Sequence, residues 1–121
     1  MRKIKMSKLF GGHMSFGDHM SLAYSYTKLF DRISWILWED WDPIGAGVPP
    51  DEYESYVPFL FVLTVIEGTN ASQLAASLNS IADQFMQVSS NKEKDMKAAN
   101  LIIKAKKDFL KEAASLGRYL H

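Results

Sequence analysis

The sequence predicts an all-α fold: a single four-helix domain, packed as an antiparallel bundle or an orthogonal array, with a long loop between helices one and two. Three segments space their apolar residues as amphipathic helices do, and a fourth, Val57–Ile66, is apolar on every side. No other segment offers a strand with which this run could pair, so it is interpreted as a central, covered helix. A chain of 121 residues has room for one such domain.

Helix one is predicted over Ser21–Glu39, with Ser21 as its N-cap. Its regularly spaced apolar residues fall within one arc of about 120°, which is the expected core face. Trp35 and Trp38 fall on the opposite side of the helix. We expect a second packed element to cover them, because the alternative is an exposed patch for self-association or for a ligand.

The long loop is predicted over residues 40–56. Asp42-Pro43 favours a turn that ends helix one, and Asp51 can cap a short helical turn near Tyr56. A loop of this length in a small domain is typically functional or held down by its own side chains. The aromatic residues in this loop favour the second interpretation.

Helices two and three carry clear end signals. Pro58 fits the first turn of helix two, and Gly68 fits its C-terminal stop. Asn70 and Gln73 have the spacing of a capping box at the start of helix three. Apolar residues then share one narrow face as far as Phe85.

Helix four is predicted from a second capping box, Ser90 with Glu93, to Leu116, with Gly117 as its stop. It is long enough to extend beyond the domain and pair with a second copy of the chain. Its lysines form a ridge without interleaved aromatic residues, so a solvated face is a better interpretation than a nucleic-acid site. The ridge lysines are Lys97, Lys104, Lys107 and Lys111.

Charge is distributed unevenly along the chain, although it sums to zero. Residues 1–20 carry +3, residues 21–87 carry −7 and residues 88–121 carry +4. Residues 1–20 show no clear helical period and are predicted to be a flexible arm ahead of a helical domain at 21–121. The acidic middle could be neutralised within the fold or could meet a basic partner.

Several classes of protein receive no support from the sequence. The chain has no cysteine, its three histidines lack metal-ligand spacing, and no phosphate loop or nucleophile elbow occurs, so no catalytic residue, metal site or cofactor is predicted. Its longest apolar run is shorter than the roughly 20 residues needed to cross a bilayer, and no signal peptide is visible. We therefore expect a cytoplasmic protein that binds neither membranes nor nucleic acid.

The candidate site is the acidic and aromatic part of the long loop. Six acids and no base occur between positions 39 and 54. A purely structural loop is the simplest interpretation, a surface for a basic protein partner is the second, and a metal or catalytic site is the third. The candidate residues are Trp38, Glu39, Asp40, Trp41, Asp42, Asp51, Glu52, Tyr53, Glu54 and Tyr56.

The same loop carries a resemblance. Trp41-Asp42-Pro43-Ile44-Gly45, followed by Asp51-Glu52-Tyr53 and Tyr56-Val57-Pro58, resembles a group of small bacterial proteins with a WDPIG…DEYxxYxP signature. The pattern is also similar, more distantly, to the YugE-like all-helical domain. The resemblance covers roughly residues 33–86. It implies a helical fold and a bacterial, cytoplasmic origin, and it implies no activity.

These observations lead to one functional hypothesis and two alternatives. The leading hypothesis is a small non-enzymatic module of the adaptor or immunity type, which binds another protein through the acidic aromatic loop. The first alternative is a metal-binding protein or a hydrolase that uses the loop carboxylates. The second is a homodimeric helical protein assembled through helix four.

Overall fold

The computed structural model describes residues 16–119, and within that range every regular element is helical and no strand occurs. The predicted all-α class is confirmed. The structure does not describe residues 1–15, where most of the predicted flexible arm lies. The four α-helices are α1 (Phe16–Ile36), α2 (Val57–Phe61), α3 (Ala71–Gln84) and α4 (Lys92–Tyr119).

Helix α1 begins at Phe16, so the predicted start at Ser21 is wrong and residues 16–20 belong to the helix. A serine favours an N-cap by only about 1 kcal/mol and is tolerated inside a helix, so this signal alone does not fix a helix start. At its other end α1 continues into a π-helical turn, Leu37–Trp41, closed by the amide of Asp42 donating to the carbonyl of Leu37 at 2.8 Å.

Helix α2 and the π-helical turn that follows it, Val62–Ile66, confirm that the apolar run is helical. α2 contacts α1, and the π-helical turn contacts α4. The prediction that the run is covered on every side is wrong, because Phe59 is 51% exposed and Ile66 is 49% exposed. A segment this short packs its inner side against two helices and leaves its outer side at the surface.

Thr64 lies fully buried in this π-helical turn, and its hydroxyl has no hydrogen-bond partner among the residues that the structure describes. Burying an unpaired hydroxyl is unfavourable. Valine has nearly the same shape, so we expect Thr64→Val to raise the free energy of unfolding by about 1 kcal/mol in urea denaturation. Thr69→Val, at a partly exposed threonine nearby, serves as the control. A loss of stability in Thr64→Val would contradict this account.

Helix α3 starts as predicted. The amide of Gln73 donates to Asn70 Oδ1 at 2.9 Å and the amide of Asn70 donates to Gln73 Oε1 at 3.3 Å, which is a complete capping box. The predicted face is buried as far as Ala82, but Phe85 at its end is 71% exposed. α3 therefore presents one face to α4 and leaves an aromatic ring at the surface.

Helix α4 is the longest helix described, and it packs against both α1 and α3. The predicted capping box at its start is wrong: Asn91 Oδ1 accepts the amides of Glu93 and Lys94, which leaves Ser90 free for another contact. The predicted stop at Gly117 is also wrong, since α4 runs to Tyr119. The buried stripe of α4 includes Ala98, Ala99, Ala105 and Ala113, whose small side chains permit close approach of the neighbouring helices.

The core lies where α1, α2, the two π-helical turns, α3 and α4 meet. Its largest fully buried side chains include Trp41, Tyr53, Ile33, Leu37 and Leu60. No helix in the described part of the chain combines the length and apolar character required to span a bilayer.

Candidate functional site

Trp41 and Tyr53 join the long loop to the core. Both side chains are almost fully buried, and their rings meet edge-on with centroids 5.5 Å apart. They were predicted as partner-binding residues, but in this position neither ring is open to a partner. Aromatic residues in a loop gain more from burial against the core than from exposure, so these two hold the loop in place.

Asp42 organises the turn that follows α1. Its backbone is left-handed, with φ 31°, a conformation that Asp tolerates better than most residues. The Tyr53 hydroxyl donates to Asp42 Oδ1 at 2.6 Å, and the amide of Gly45 donates to the same oxygen at 3.1 Å. The amide of Ile44 in turn donates to the Tyr53 hydroxyl at 3.2 Å. The Asp42 carboxylate is therefore a structural acceptor within the loop.

Burial, together with donation to the Asp42 carboxylate, raises the pKa of Tyr53 well above its ordinary value of 10.0. Above about pH 10 the unfolded chain loses this phenolic proton while the folded chain retains it, so folding stability must fall as pH rises. We expect Tyr53→Phe to cost about 1 kcal/mol at neutral pH and to flatten this alkaline decline in urea denaturation between pH 9 and 11. Tyr24→Phe, at an exposed tyrosine, should leave the decline unchanged. Equal slopes in Tyr53→Phe and wild type would contradict the account.

A second anchor connects Trp41 to α4. The indole Nε1–H of Trp41 donates to Asp95 Oδ1 at 2.8 Å. The hydroxyl of Ser90 donates to Asp95 Oδ2 at 2.8 Å, and the side-chain amide of Asn79 donates to the same oxygen at 3.4 Å. Asp95 is only 2% exposed. Sequence reasoning missed it, although Asp95 shares a helical face with the apolar positions Ala98, Ala99 and Ile102, which marks it as a buried acid.

The Trp35–Trp38 face is only partly covered. Trp38 is half-buried, and its indole Nε1–H donates to the carbonyl of Val48 at 2.8 Å, so the loop folds back over it. Trp35 is 51% exposed and contacts Trp38 edge-on, with ring centroids 5.4 Å apart. The prediction that a packed element covers both rings is therefore wrong for Trp35.

Trp35 lines a surface groove of about 410 Å³ between α1, the end of the loop and the start of α2. We refer to it below as the acidic groove. Its surface is mostly apolar, and carboxylates stand among the apolar groups. The lining residues are Phe30, Asp31, Ser34, Trp35, Pro50, Asp51, Glu54, Val57 and Pro58.

Among the side chains that the structure describes, none forms an ion pair with the carboxylates of the acidic groove. The two cations of α1 point instead towards α4, where Lys28 pairs with Glu112 and Arg32 pairs with Asp108, each at 3.1 Å. Asp31, Asp51 and Glu54 therefore stand without a compensating charge.

Asp51 was predicted to cap the helical turn before α2, and that prediction is wrong. The turn is closed by the backbone amide of Glu54 donating to the Asp51 carbonyl at 3.1 Å, and no side chain caps the helical turn at 54–56. The Asp51 carboxylate is therefore free to face the acidic groove.

The other predicted site residues lie outside the acidic groove. Glu39 and Glu52 are exposed, and Asp40 pairs with Lys97 of α4 at 3.4 Å. Tyr56 is half-buried and faces Phe85, with ring centroids 6.5 Å apart. Of the predicted residues, Asp51 and Glu54 line the groove. In the sequence, the position of Trp35 opposite the core face of α1 was the feature that raised the alternative of an exposed ring.

Two other features of the described residues bear on the alternatives. No group of three or more His, Asp or Glu side chains there is placed to hold a metal ion. A second groove of about 440 Å³ lies between α3 and α4 beside Asp95. The Asp95 carboxylate already accepts three hydrogen bonds from protein groups, so it offers little to a ligand.

Comparison with known proteins finds no matching family model, no matching curated protein and no matching solved structure. The chemistry of the acidic groove is therefore the basis of the functional proposal.

Proposed function

We propose that this chain is a small non-enzymatic module of the adaptor or immunity type, and that it binds another protein through the acidic groove. The observation that carries the proposal is a half-exposed tryptophan, Trp35, in an apolar groove with three carboxylates that no cation of the described chain neutralises. Tryptophan anchors inside a charged rim are typical of protein interfaces.

The charge pattern favours a basic partner. Carboxylates that stand free in the unbound protein attract a positively charged surface and speed its association. An apolar groove provides the buried contact that gives the complex its lifetime. As part of the same proposal, we place the protein in the bacterial cytoplasm, in keeping with the cysteine-free composition and the sequence resemblance.

Affinity capture with matched variants tests this proposal. Wild type should retain a partner from a lysate of the source organism, while Trp35→Ser and the double variant Asp51→Lys/Glu54→Lys should each lose it. Tyr24→Ser is the control for Trp35, because Tyr24 is an exposed aromatic residue of the same helix outside the groove. Glu67→Lys/Asp83→Lys makes the same change in net charge at exposed positions elsewhere.

The proposal requires that retention of the partner depends on the residues of the acidic groove. A partner that binds both groove variants as well as wild type would show that another surface is used. Circular dichroism of each variant would confirm that the fold is intact.

Assembly through α4 remains a second candidate, which the exposed apolar side chains of Met96 and Leu110 favour. Light scattering separates this candidate from the first. A dimeric mass that Leu110→Lys reduces to the monomer would support it, and a monomeric wild type would end it.

A further inference from the structure

We infer that the acidic groove accepts an arginine side chain, with an apolar neighbour, presented by an extended segment of the partner protein. This inference rests on the proposed function and deepens it by naming the chemistry of the ligand. Three properties of the groove support it: a fixed aromatic ring, carboxylates from separate segments, and a floor with few polar groups.

The aromatic ring is Trp35. Its edge-on contact with Trp38, which is itself tied to the Val48 carbonyl, limits the movement of a ring that is half exposed. A fixed indole face is a good surface for a planar cation, and tryptophan is the strongest of the aromatic residues in this role. A guanidinium stacks on such a face more readily than a strongly hydrated ammonium does.

The carboxylates surround the groove from different parts of the chain. Asp31 belongs to α1, Asp51 to the end of the loop, and Glu54 to the short helical turn at 54–56 before α2. A guanidinium carries five N–H donors in a planar fork and can serve more than one carboxylate at once, whereas an ammonium acts as a single compact charge.

No cation among the described side chains pairs with these carboxylates in the structure. Arg32 follows Asp31 directly, but its guanidinium pairs with Asp108 on α4, and Lys28 pairs with Glu112 on the same helix. The groove is therefore left with negative charge that no described ion pair balances.

The remaining lining suits the stem of the side chain and its apolar neighbour. Phe30, Val57 and the rings of Pro50 and Pro58 supply most of it, and a proline has no backbone N–H to satisfy. An arginine stem packs along such a surface while its charged end remains among the carboxylates. An apolar neighbour in the segment would extend this contact.

The test uses the full-length protein and the blocked tripeptide acetyl-Leu-Arg-Leu-amide as the probe. Two analogues differ from this peptide only at the central residue. One carries lysine there, and the other carries citrulline, which is neutral and has nearly the same shape as arginine. Binding is followed by the three indole N–H signals in ¹H–¹⁵N correlation spectra, one for each tryptophan. The Trp35 signal is assigned by its absence in Trp35→Leu.

We expect the arginine peptide to shift the Trp35 signal more than the other two indole signals. We expect it to bind about tenfold more tightly than the citrulline peptide and about threefold more tightly than the lysine peptide. Asp51→Asn/Glu54→Gln should remove most of the difference between arginine and citrulline. Glu67→Gln/Asp83→Asn, which removes the same charge elsewhere, should preserve it.

Equal affinities for the arginine and citrulline peptides, or shifts that spare Trp35, would overturn the inference. A full-length variant with Arg2, Lys3, Lys5 and Lys8 changed to Gln tests whether the chain's own N-terminal segment is the occupant. A tenfold gain in peptide affinity in this variant would overturn the assignment to a partner, and unchanged affinity would support it. If every tripeptide fails but groove-dependent capture of a protein persists, the arginine inference falls while the proposed function stands.

Discussion

Replacing Asp95 with alanine should lower the free energy of unfolding by about 3 kcal/mol. The substitution leaves the buried indole N–H of Trp41 without an acceptor, and it also removes the acceptor of Ser90. An unpaired buried donor costs about 1 to 3 kcal/mol, and the space left by the carboxylate adds to that cost. Urea denaturation followed by tryptophan fluorescence measures the effect.

Two further variants show whether the hydrogen bonds cause this loss. Asp95→Asn keeps an oxygen acceptor for Trp41 and should recover about half of the stability. Asp108→Ala removes an exposed acid of the same helix that pairs with Arg32, and it should cost no more than about 1 kcal/mol. If Asp95→Ala were as mild as Asp108→Ala, the Trp41–Asp95 bond would not anchor the loop.

The helices could be predicted because their signals are local. The capping box of Asn70 with Gln73, the glycine stop at Gly68 and the proline at the start of α2 each involve residues a few positions apart. The cap at the start of α4 was misassigned because both Ser90 and Asn91 have side chains suited to the role. In the structure the Ser90 hydroxyl donates to Asp95 instead, and Asp95 also accepts from Trp41, which lies 54 positions away in the sequence.

The candidate site was harder to predict because it depends on which loop residues turn inward. Trp41 and Asp95 are 54 positions apart in sequence, and no spacing rule connects them. The sequence shows that the acids lie in the loop, but it could not show that Tyr53 would bury its ring or that Asp51 would leave its carboxylate free. Whether Trp35 is covered is likewise a question of tertiary packing, which the helical period does not address.

The hydrogen bonds that fix the loop to the core are connected to the acidic groove through the loop itself. Trp41 and Tyr53 fix the two ends of the loop to the core, and Trp38 holds its middle through the Val48 carbonyl. Pro50 and Asp51, which follow Val48, form one wall of the groove. A change that releases the loop should therefore weaken both folding stability and ligand binding, even though it touches no groove residue.

Asp42→Ala tests this connection, and it should lower the free energy of unfolding by about 2 to 3 kcal/mol. The substitution removes the acceptor of the Tyr53 hydroxyl and of the Gly45 amide, and it places alanine in a left-handed conformation that it adopts poorly. Asp42→Asn retains an acceptor and tolerates that conformation, so it should cost only about 1 kcal/mol.

The two Asp42 variants should also differ in how well they bind the partner protein. Because the groove wall depends on the loop, Asp42→Ala should weaken groove-dependent partner capture and shift the indole signal of Trp38, while Asp42→Asn should resemble wild type in both measurements. If Asp42→Ala were destabilised but still captured the partner as wild type does, the groove would be held by α1 and α2 alone. The loop would then contribute Asp51 to the surface without controlling the shape of the groove.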